Sequence, residues 1–114
     1  MSFSAGLPMT TAFELPGHRV SENLGVCYGL VVRSMGLAGD IGGFVVSMRR
    51  GEVGQYTRLL EDSRRHAIDR MVENAELMGA DGIIGVRFDS SEIGGRSLTE
   101  ILAYGTAVKL QPLA

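Results

Sequence analysis

The feature that most constrains this chain is the segment Gln55–Met78, in which apolar residues recur with the period of an α-helix. One face of the predicted helix carries Tyr56, Leu59, Leu60, Ser63, Ala67, Met71, Val72, Ala75 and Met78, and the other carries Arg58, Glu61, Asp62, Arg65, Asp69, Arg70, Glu73 and Glu76. At a rise of about 1.5 Å per residue, this helix is roughly 35 Å long. Because 114 residues make a small domain for so long a helix, we expect part of it to pack on a neighbouring subunit.

The predicted helix ends at a tight junction, Gly79-Ala80-Asp81, directly before an apolar segment. Gly79 suits the left-handed conformation that closes many helix ends, and Ala80 is small enough for the chain to fold back beneath the helix. Asp81 can hydrogen-bond nearby backbone groups and stabilise the turn. Since this structural role accounts for all three residues, we favour it over a catalytic role for Asp81.

Three apolar segments are typical of β-strands, at residues 24–32, 82–89 and 98–110. The last two are joined by a glycine-rich connection at residues 90–97, so we expect them to pair antiparallel. One face of the third segment carries Leu102, Tyr104, Thr106, Val108 and Leu110. In the first segment, Gly25 and Gly29 share one face and predict close approach by a packing partner or, alternatively, by a ligand.

A second, shorter helix is predicted within residues 36–50. Its apolar face would be formed by Ile41, Phe44, Val45 and Met48. Gly42 and Gly43 interrupt it, so it needs tertiary support. The predicted fold is therefore α+β, an antiparallel sheet with one short and one long helix on one face.

Length and composition indicate one domain, which we divide into a flexible tail at residues 1–12 and an α+β domain at residues 13–114. The formal net charge of −2 lacks the basic surface that nucleic-acid binding requires. No apolar run is long enough to cross a membrane. The single cysteine, Cys27, excludes an internal disulfide and fits a reducing compartment, so we expect a cytoplasmic protein.

Few residues suggest a chemical site. A soft-metal site needs several thiolates or imidazoles at short spacing, whereas this chain offers Cys27, His18 and His66, no two closer than nine positions. Cys27 and His18 are the candidate metal ligands, although a cysteine among apolar residues is more often a buried packing residue. The acidic loop Asp89–Glu92 could hold a hard cation, but such runs are more often solvated turns. No catalytic or cofactor-binding residue is predicted, and we expect no enzyme activity.

Several motifs resemble those of one family. The sequence "MGADGIIGVRFD" at residues 78–89 is similar to the L-G-A-D-A-V-V-G-V-x-x-D signature of the YbjQ-like family. The stretch "MTTAFELPGHRVSENLGVCYG" at residues 9–29 resembles the family's opening segment. Gly54-Gln55-Tyr56 resembles the start of its helix, and "AYGTAVKL" at residues 103–110 resembles its closing strand. Together these motifs span about residues 9–110, almost the whole chain.

The resemblance implies an assembly and a function. Members of the family are described as heavy-metal-binding domains of unknown function, and they form homo-oligomers, usually a pentameric ring in which each subunit adds strands to its neighbour. This chain departs from the family pattern at "VSMRRGEVG", residues 46–54, where the usual Gly-Gly-Arg-Ser turn has no counterpart. The stretch "SRRHAIDR", residues 63–70, replaces a helix that is commonly rich in Glu and Lys.

We therefore expect a ring-shaped homo-oligomer that is not catalytic and binds a metal ion or a small ligand. The alternative is a scaffold ring that binds a protein partner and no small molecule. An enzyme with a site shared between subunits is a third possibility, but no residue supports it.

Overall fold

The computed structural model describes residues 6–34, 53–93 and 98–113. Its elements are β1 (His18–Ser34), α1 (Val53–Leu77), β2 (Gly82–Ile93) and β3 (Leu98–Pro112). The three strands form an antiparallel sheet in the order β1-β3-β2, and α1 lies across one face. The predicted α+β class and the long helix are confirmed. The predicted short helix at residues 36–50 lies outside the described residues.

β1 is longer than the predicted strand at residues 24–32, because pairing with β3 extends it back to the turn at Pro16-Gly17. The amide of His18 donates to the carbonyl of Leu15 at 3.1 Å in this turn. Gly17 has a φ of 78°, a left-handed conformation that favours glycine. Polar residues such as Arg19 therefore enter the sheet through main-chain pairing, which apolar periodicity does not detect.

The helix packs directly on β1 at Gly29. A Cβ atom at this position would overlap backbone atoms of Ala67 and Met71, so the two elements can approach this closely only where β1 has no side chain. Gly25 differs, since it has a φ of 109° and a Cβ there would meet the side chain of Met78 at 3.9 Å. The close approach predicted for these glycines is made by a packing partner, α1, at Gly29.

The core lies between α1 and the face of the sheet that the helix covers. Its fully buried side chains are Cys27, Ala67, Met71, Ala75, Ile83, Ile101, Ala103 and Ala107. Ser63 is also fully buried, and its hydroxyl donates to the carbonyl of Leu59 at 2.7 Å, one turn earlier. This bond satisfies the buried polar group, so the predicted apolar face of the helix can include a serine.

Part of the predicted N-terminal tail is bound to the sheet. Residues 8–12 run parallel to the start of β2, where the amide of Ile83 donates to the carbonyl of Pro8 at 3.0 Å. The amide of Thr10 in turn donates to the carbonyl of Ile83 at 3.1 Å. These bonds continue the sheet beyond β2 over a short distance.

The connection between β2 and β3 is shorter than predicted, because Ser90–Ile93 continue β2 and pair with β3. The prediction of an acidic loop at Asp89–Glu92 is therefore wrong. Successive side chains of a strand point to opposite faces of the sheet, so these residues do not converge on one cation.

Candidate functional site

The sheet has one face covered by α1 and one face that the described residues leave open. Cys27 and Val31 are buried beneath the helix, and alternation along β1 turns the residues between them to the other side. The register pairs Tyr28 with Tyr104, and directly opposed residues share a face. We call this surface the open face. Its apolar residues are Val26, Tyr28, Leu30, Val32, Leu102 and Tyr104.

The open face is apolar although it is exposed to solvent in the single chain. The exposed fractions are 68% for Val26, 57% for Tyr28 and 50% for Val32. An antiparallel sheet with one face in water normally alternates apolar residues inside with polar residues outside. Here both faces of β1 are apolar, and contiguous apolar surface of this kind marks an interaction site.

The sequence does not by itself identify these residues of β1 as a separate surface. The available signal was the segment Leu24–Val32, which is apolar at nearly every position. Continuous apolar character predicts a strand that is covered on both faces. α1 covers only one of them, and the described residues leave the other open.

Charged side chains on β2 border the open face. The register places Arg87 opposite Tyr104 and Asp89 opposite Leu102. Glu100 follows on β3, and the hydroxyl of Ser91 lies 3.5 Å from one of its carboxylate oxygens. An apolar centre with charges of both signs at its border is the usual anatomy of a protein–protein interface.

A groove of about 530 Å³ runs between α1 and the outer edge of β1. Asn74 reaches across it, and its side-chain oxygen accepts a hydrogen bond from the amide of Tyr28 at 2.9 Å. His66, Arg70 and Glu73 supply further polar groups to the groove. Asn74 thus occupies one hydrogen-bonding position at the outer edge of β1. The groove beside it is large enough for a small molecule.

The junction after α1 forms a regular helix end. Gly79 has a φ of 81°, and its amide donates to the carbonyl of Glu76 at 3.0 Å. The amide of Ala80 donates to the carbonyl of Ala75 at 3.0 Å. These two bonds are the Schellman pattern, which satisfies the last carbonyls of a helix.

Asp81 connects this junction to β3. Its amide donates to the carbonyl of Val108 at 2.8 Å, and its carboxylate accepts a hydrogen bond from the amide of Leu110 at 3.0 Å. The sequence indicates a polar turn residue here, but it does not identify a bonding partner 29 positions away. The geometry gives Asp81 a structural role at the helix end.

The two candidate metal ligands lie far apart. Cys27 is fully buried beneath α1, with its sulfur 3.7 Å from the carbonyl oxygen of Gly105. His18 is exposed at the start of β1, and its Nδ1 lies 3.0 Å from the carbonyl oxygen of Pro16. Among the described residues, no three His, Cys, Asp or Glu side chains are grouped so that they could hold a metal ion.

Comparison with known proteins places the chain in a family. The model of the YbjQ family, described as "Putative heavy-metal-binding", matches residues 7–111. The chain belongs to this family. A UPF0145 protein from Methanoregula boonei is 52% identical over 86% of this chain and 81% of its own length. Another from Chromobacterium violaceum is 50% identical over 93% of this chain and 90% of its own length.

The fold of this YbjQ-family chain also resembles a solved structure. A crystal structure of a protein with unknown function from Pediococcus pentosaceus, assigned to the DUF74 family, has a TM-score of 0.57 to this chain. The match covers 94% of this chain and 100% of the other, at 17% sequence identity. At that identity the likeness concerns the fold alone.

Proposed function

We propose that this chain is a non-catalytic, self-assembling domain whose open face is buried against further copies of the same chain. The observation that carries the proposal is the exposure of Val26, Tyr28 and Val32 on the face of the sheet that α1 does not cover. Burial contributes about 25 cal/mol for each Å² of apolar surface removed from water. Covering this face would therefore make a large favourable contribution to the free energy of association.

Shape and charge support a second copy as the cover. The Cα radius of gyration is 17.2 Å, larger than the roughly 13 Å of a compact domain of this length. The single chain is therefore extended and leaves surface that a second copy can bury. The net charge of −2 gives little repulsion between copies. Arg87 and Asp89 offer both signs of charge at the border of the open face, so identical surfaces can be complementary. The family resemblance favours a ring of five.

The proposal that the domain is non-catalytic rests on what its histidines contact. Nδ1 of His18 is close to the carbonyl oxygen of Pro16, and Nδ1 of His66 lies 3.2 Å from the guanidinium of Arg33. Within the described part of the chain, neither ring forms a hydrogen bond to a Ser, a Cys or a carboxylate. The base-activated nucleophile that covalent catalysis requires is therefore not assembled there.

A small ligand is a second candidate for the domain's role, and the groove between α1 and β1 favours it. His66, Arg70 and Glu73 would supply the polar contacts there, and Leu77 the apolar contact.

Cytoplasmic location remains part of the proposal, supported by an unpaired cysteine. Among the described residues, no helix has the length and apolar character required to cross a membrane.

Native mass spectrometry of the untagged chain tests self-assembly. We expect a multiple of the 12.2 kDa chain mass, and five times that mass for the ring. In Val26→Lys, a charge on the open face should dissociate the assembly. Leu77→Lys is the matched control, because Leu77 is 89% exposed on α1, on the other side of the sheet. This control should keep the wild-type mass.

Two results would contradict the proposal. One is a wild-type mass of a single chain, which would leave the open face to a different protein, as in the scaffold alternative. The other is an unchanged assembly in Val26→Lys, which would place the interface elsewhere. Circular dichroism of each variant shows whether the protomer is still folded.

A further inference from the structure

The family description names heavy metals, and such ions are soft or borderline cations that prefer thiolate and imidazole ligands. This chain contains one Cys and two His. All three, Cys27, His18 and His66, lie in the described residues. The positions of these three side chains therefore decide whether thiol and imidazole ligands can form a heavy-metal site in this sequence.

Cys27 is the strongest ligand by chemical type and the least accessible by position. Its side chain has no exposed surface, and it belongs to the core cluster between α1 and the sheet. Metals bind the thiolate form, whereas burial raises the pKa of the Cys27 thiol. An ion could reach the sulfur only if α1 separated from β1, and the helix backbone contacts that strand at Gly29.

His18 cannot join Cys27 in one site. They are nine positions apart along β1, which at about 3.3 Å per residue is roughly 30 Å. A metal ion bound to two ligands requires both donor atoms within about 2.3 Å of the ion. An ion at His18 would have one ligand from this chain.

His66 lies in surroundings that disfavour a cation. Its Nδ1 is 3.2 Å from the guanidinium of Arg33, so this nitrogen already accepts a hydrogen bond from a permanent positive charge. Arg70 lines the same groove as His66. A metal ion bound here would face two guanidinium groups, with Glu73 as the carboxylate of the groove.

Other ligand types do not complete a site in the described part of the chain. Three grouped His, Cys, Asp or Glu side chains are not found there, and the thioether of Met71 is fully buried. Residues 1–5, 35–52, 94–97 and 114 lie outside the part of the chain that the structure describes. Their sequence contains Met, Asp and Glu but neither Cys nor His.

We infer that this chain binds no heavy-metal ion through its thiol or its imidazoles, the ligand types that such ions prefer. Cys27 serves instead as a small apolar residue that fills the core between α1 and β3. For Cys27 and His66 this inference does not depend on the proposed self-assembly, because these side chains are buried or charge-paired within each chain. For the exposed His18 it also requires that the assembly does not bring copies of this residue together.

Metal binding to the full-length untagged protein provides the test. The chain is dialysed separately against Zn²⁺, Cd²⁺ and Cu⁺, and bound metal is measured by mass spectrometry of the elements. The variants Cys27→Ala, His18→Gln and His66→Gln are treated in the same way. We expect wild type to retain far less than one ion per chain, and each variant to retain the same amount as wild type.

Saturable binding that any of the three variants abolishes would overturn the inference. This includes binding lost in His18→Gln alone, since a ring could bring several copies of that exposed residue together. Binding that all three variants retain equally would come from other groups, and the inference about thiol and imidazoles would stand.

Thiol reactivity gives an independent readout that needs no variant. The wild-type chain is treated with a thiol reagent in native buffer and in denaturant. Because reaction of Cys27 requires opening of the core, native labelling should be at least about 1,000-fold slower than labelling of the unfolded chain. Native labelling at nearly the unfolded rate would show an accessible thiol and contradict the burial argument.

Discussion

Asp81 and Leu110 are joined by a hydrogen bond of 3.0 Å, in which the carboxylate of Asp81 accepts from the backbone amide of Leu110. The main chain of Asp81 also pairs with β3, through the carbonyl of Val108. One residue therefore attaches the end of α1 to the strand at the centre of the sheet. Because an ionised acceptor makes a stronger hydrogen bond than a neutral one, this contact stabilises the orientation of the helix.

Asp81→Ala should lower the free energy of unfolding by about 1–2 kcal/mol, because the amide of Leu110 loses a charged acceptor. Urea denaturation followed by circular dichroism measures the change. The control is Glu73→Ala, which removes a carboxylate from an exposed position of α1 and should change stability by less than about 0.5 kcal/mol. Equal effects of the two substitutions would contradict the assigned role.

Gly29→Ala should destabilise the protein by about 3 kcal/mol or more, because the added methyl group overlaps the helix backbone at Ala67 and Met71. Gly54→Ala is the matched control. Gly54 lies in α1, where a Cβ would meet only Arg58 at 3.9 Å, so alanine there should be neutral or stabilise by up to about 1 kcal/mol. Thermal and urea unfolding of both variants compare the two sites.

A Gly29→Ala protein as stable as wild type would show that α1 can move away from β1 at little cost. In that case the glycine would not set the distance between helix and strand.

Arg87→Ala should loosen the N-terminal segment from β2. The guanidinium of Arg87 donates to the carbonyl of Thr11 at 2.8 Å and lies 5.6 Å from the ring centroid of Phe13. Loss of a charged hydrogen bond costs about 1.5 kcal/mol or more, so the amides of Thr10 and Ile83 should exchange hydrogen roughly tenfold faster. Nuclear magnetic resonance measures this exchange.

Arg58→Ala serves as the control for that experiment, since it removes an exposed guanidinium from α1. Unchanged exchange at Thr10 in Arg87→Ala, or the same increase in both variants, would show that Arg87 does not hold the segment.

The burial of Cys27 predicts a loss of stability at alkaline pH. Burial raises the pKa of its thiol above the usual value of 9.0, so the folded chain keeps a proton that the unfolded chain releases. This contribution to stability is fully present below the unfolded pKa. It is lost as the pH rises from there through the folded pKa, because the unfolded state then binds fewer protons.

Wild type and Cys27→Ala should therefore differ in their pH dependence. Above about pH 9, the free energy of unfolding of wild type should fall more steeply, by at most about 1.4 kcal/mol per pH unit for a single proton. Other titrating groups are common to both proteins and cancel in the difference. A difference between the two proteins that stays constant from neutral to alkaline pH would rule out a buried, protonated Cys27.

The sequence determined the elements whose signals are local. The periodicity of Gln55–Met78 predicted α1, and Gly79 marked its end, because left-handed backbone geometry favours a residue without a side chain. Alternating and apolar residues likewise predicted β3. Each of these signals lies within the element it specifies, so no knowledge of distant residues was required.

The tertiary structure decided how far the strands extend. Polar residues at the start of β1 and at the end of β2 are strand residues only because β3 pairs with them. Ser90, for example, has turn-forming chemistry in sequence, but it lies opposite Ile101 in the sheet. Main-chain hydrogen bonds between distant segments outweigh the weak local preference for a turn.

The candidate site depended on tertiary structure in the same way. Alternation divides β1 into two sets of residues, one with Cys27 and Gly29 and one with Tyr28 and Leu30, but it does not state which set the helix covers. The contact at Gly29 decides this, since only a strand position without a Cβ admits the backbone of α1 so closely. That one contact buries the thiol of Cys27 and leaves Tyr28 on the open face.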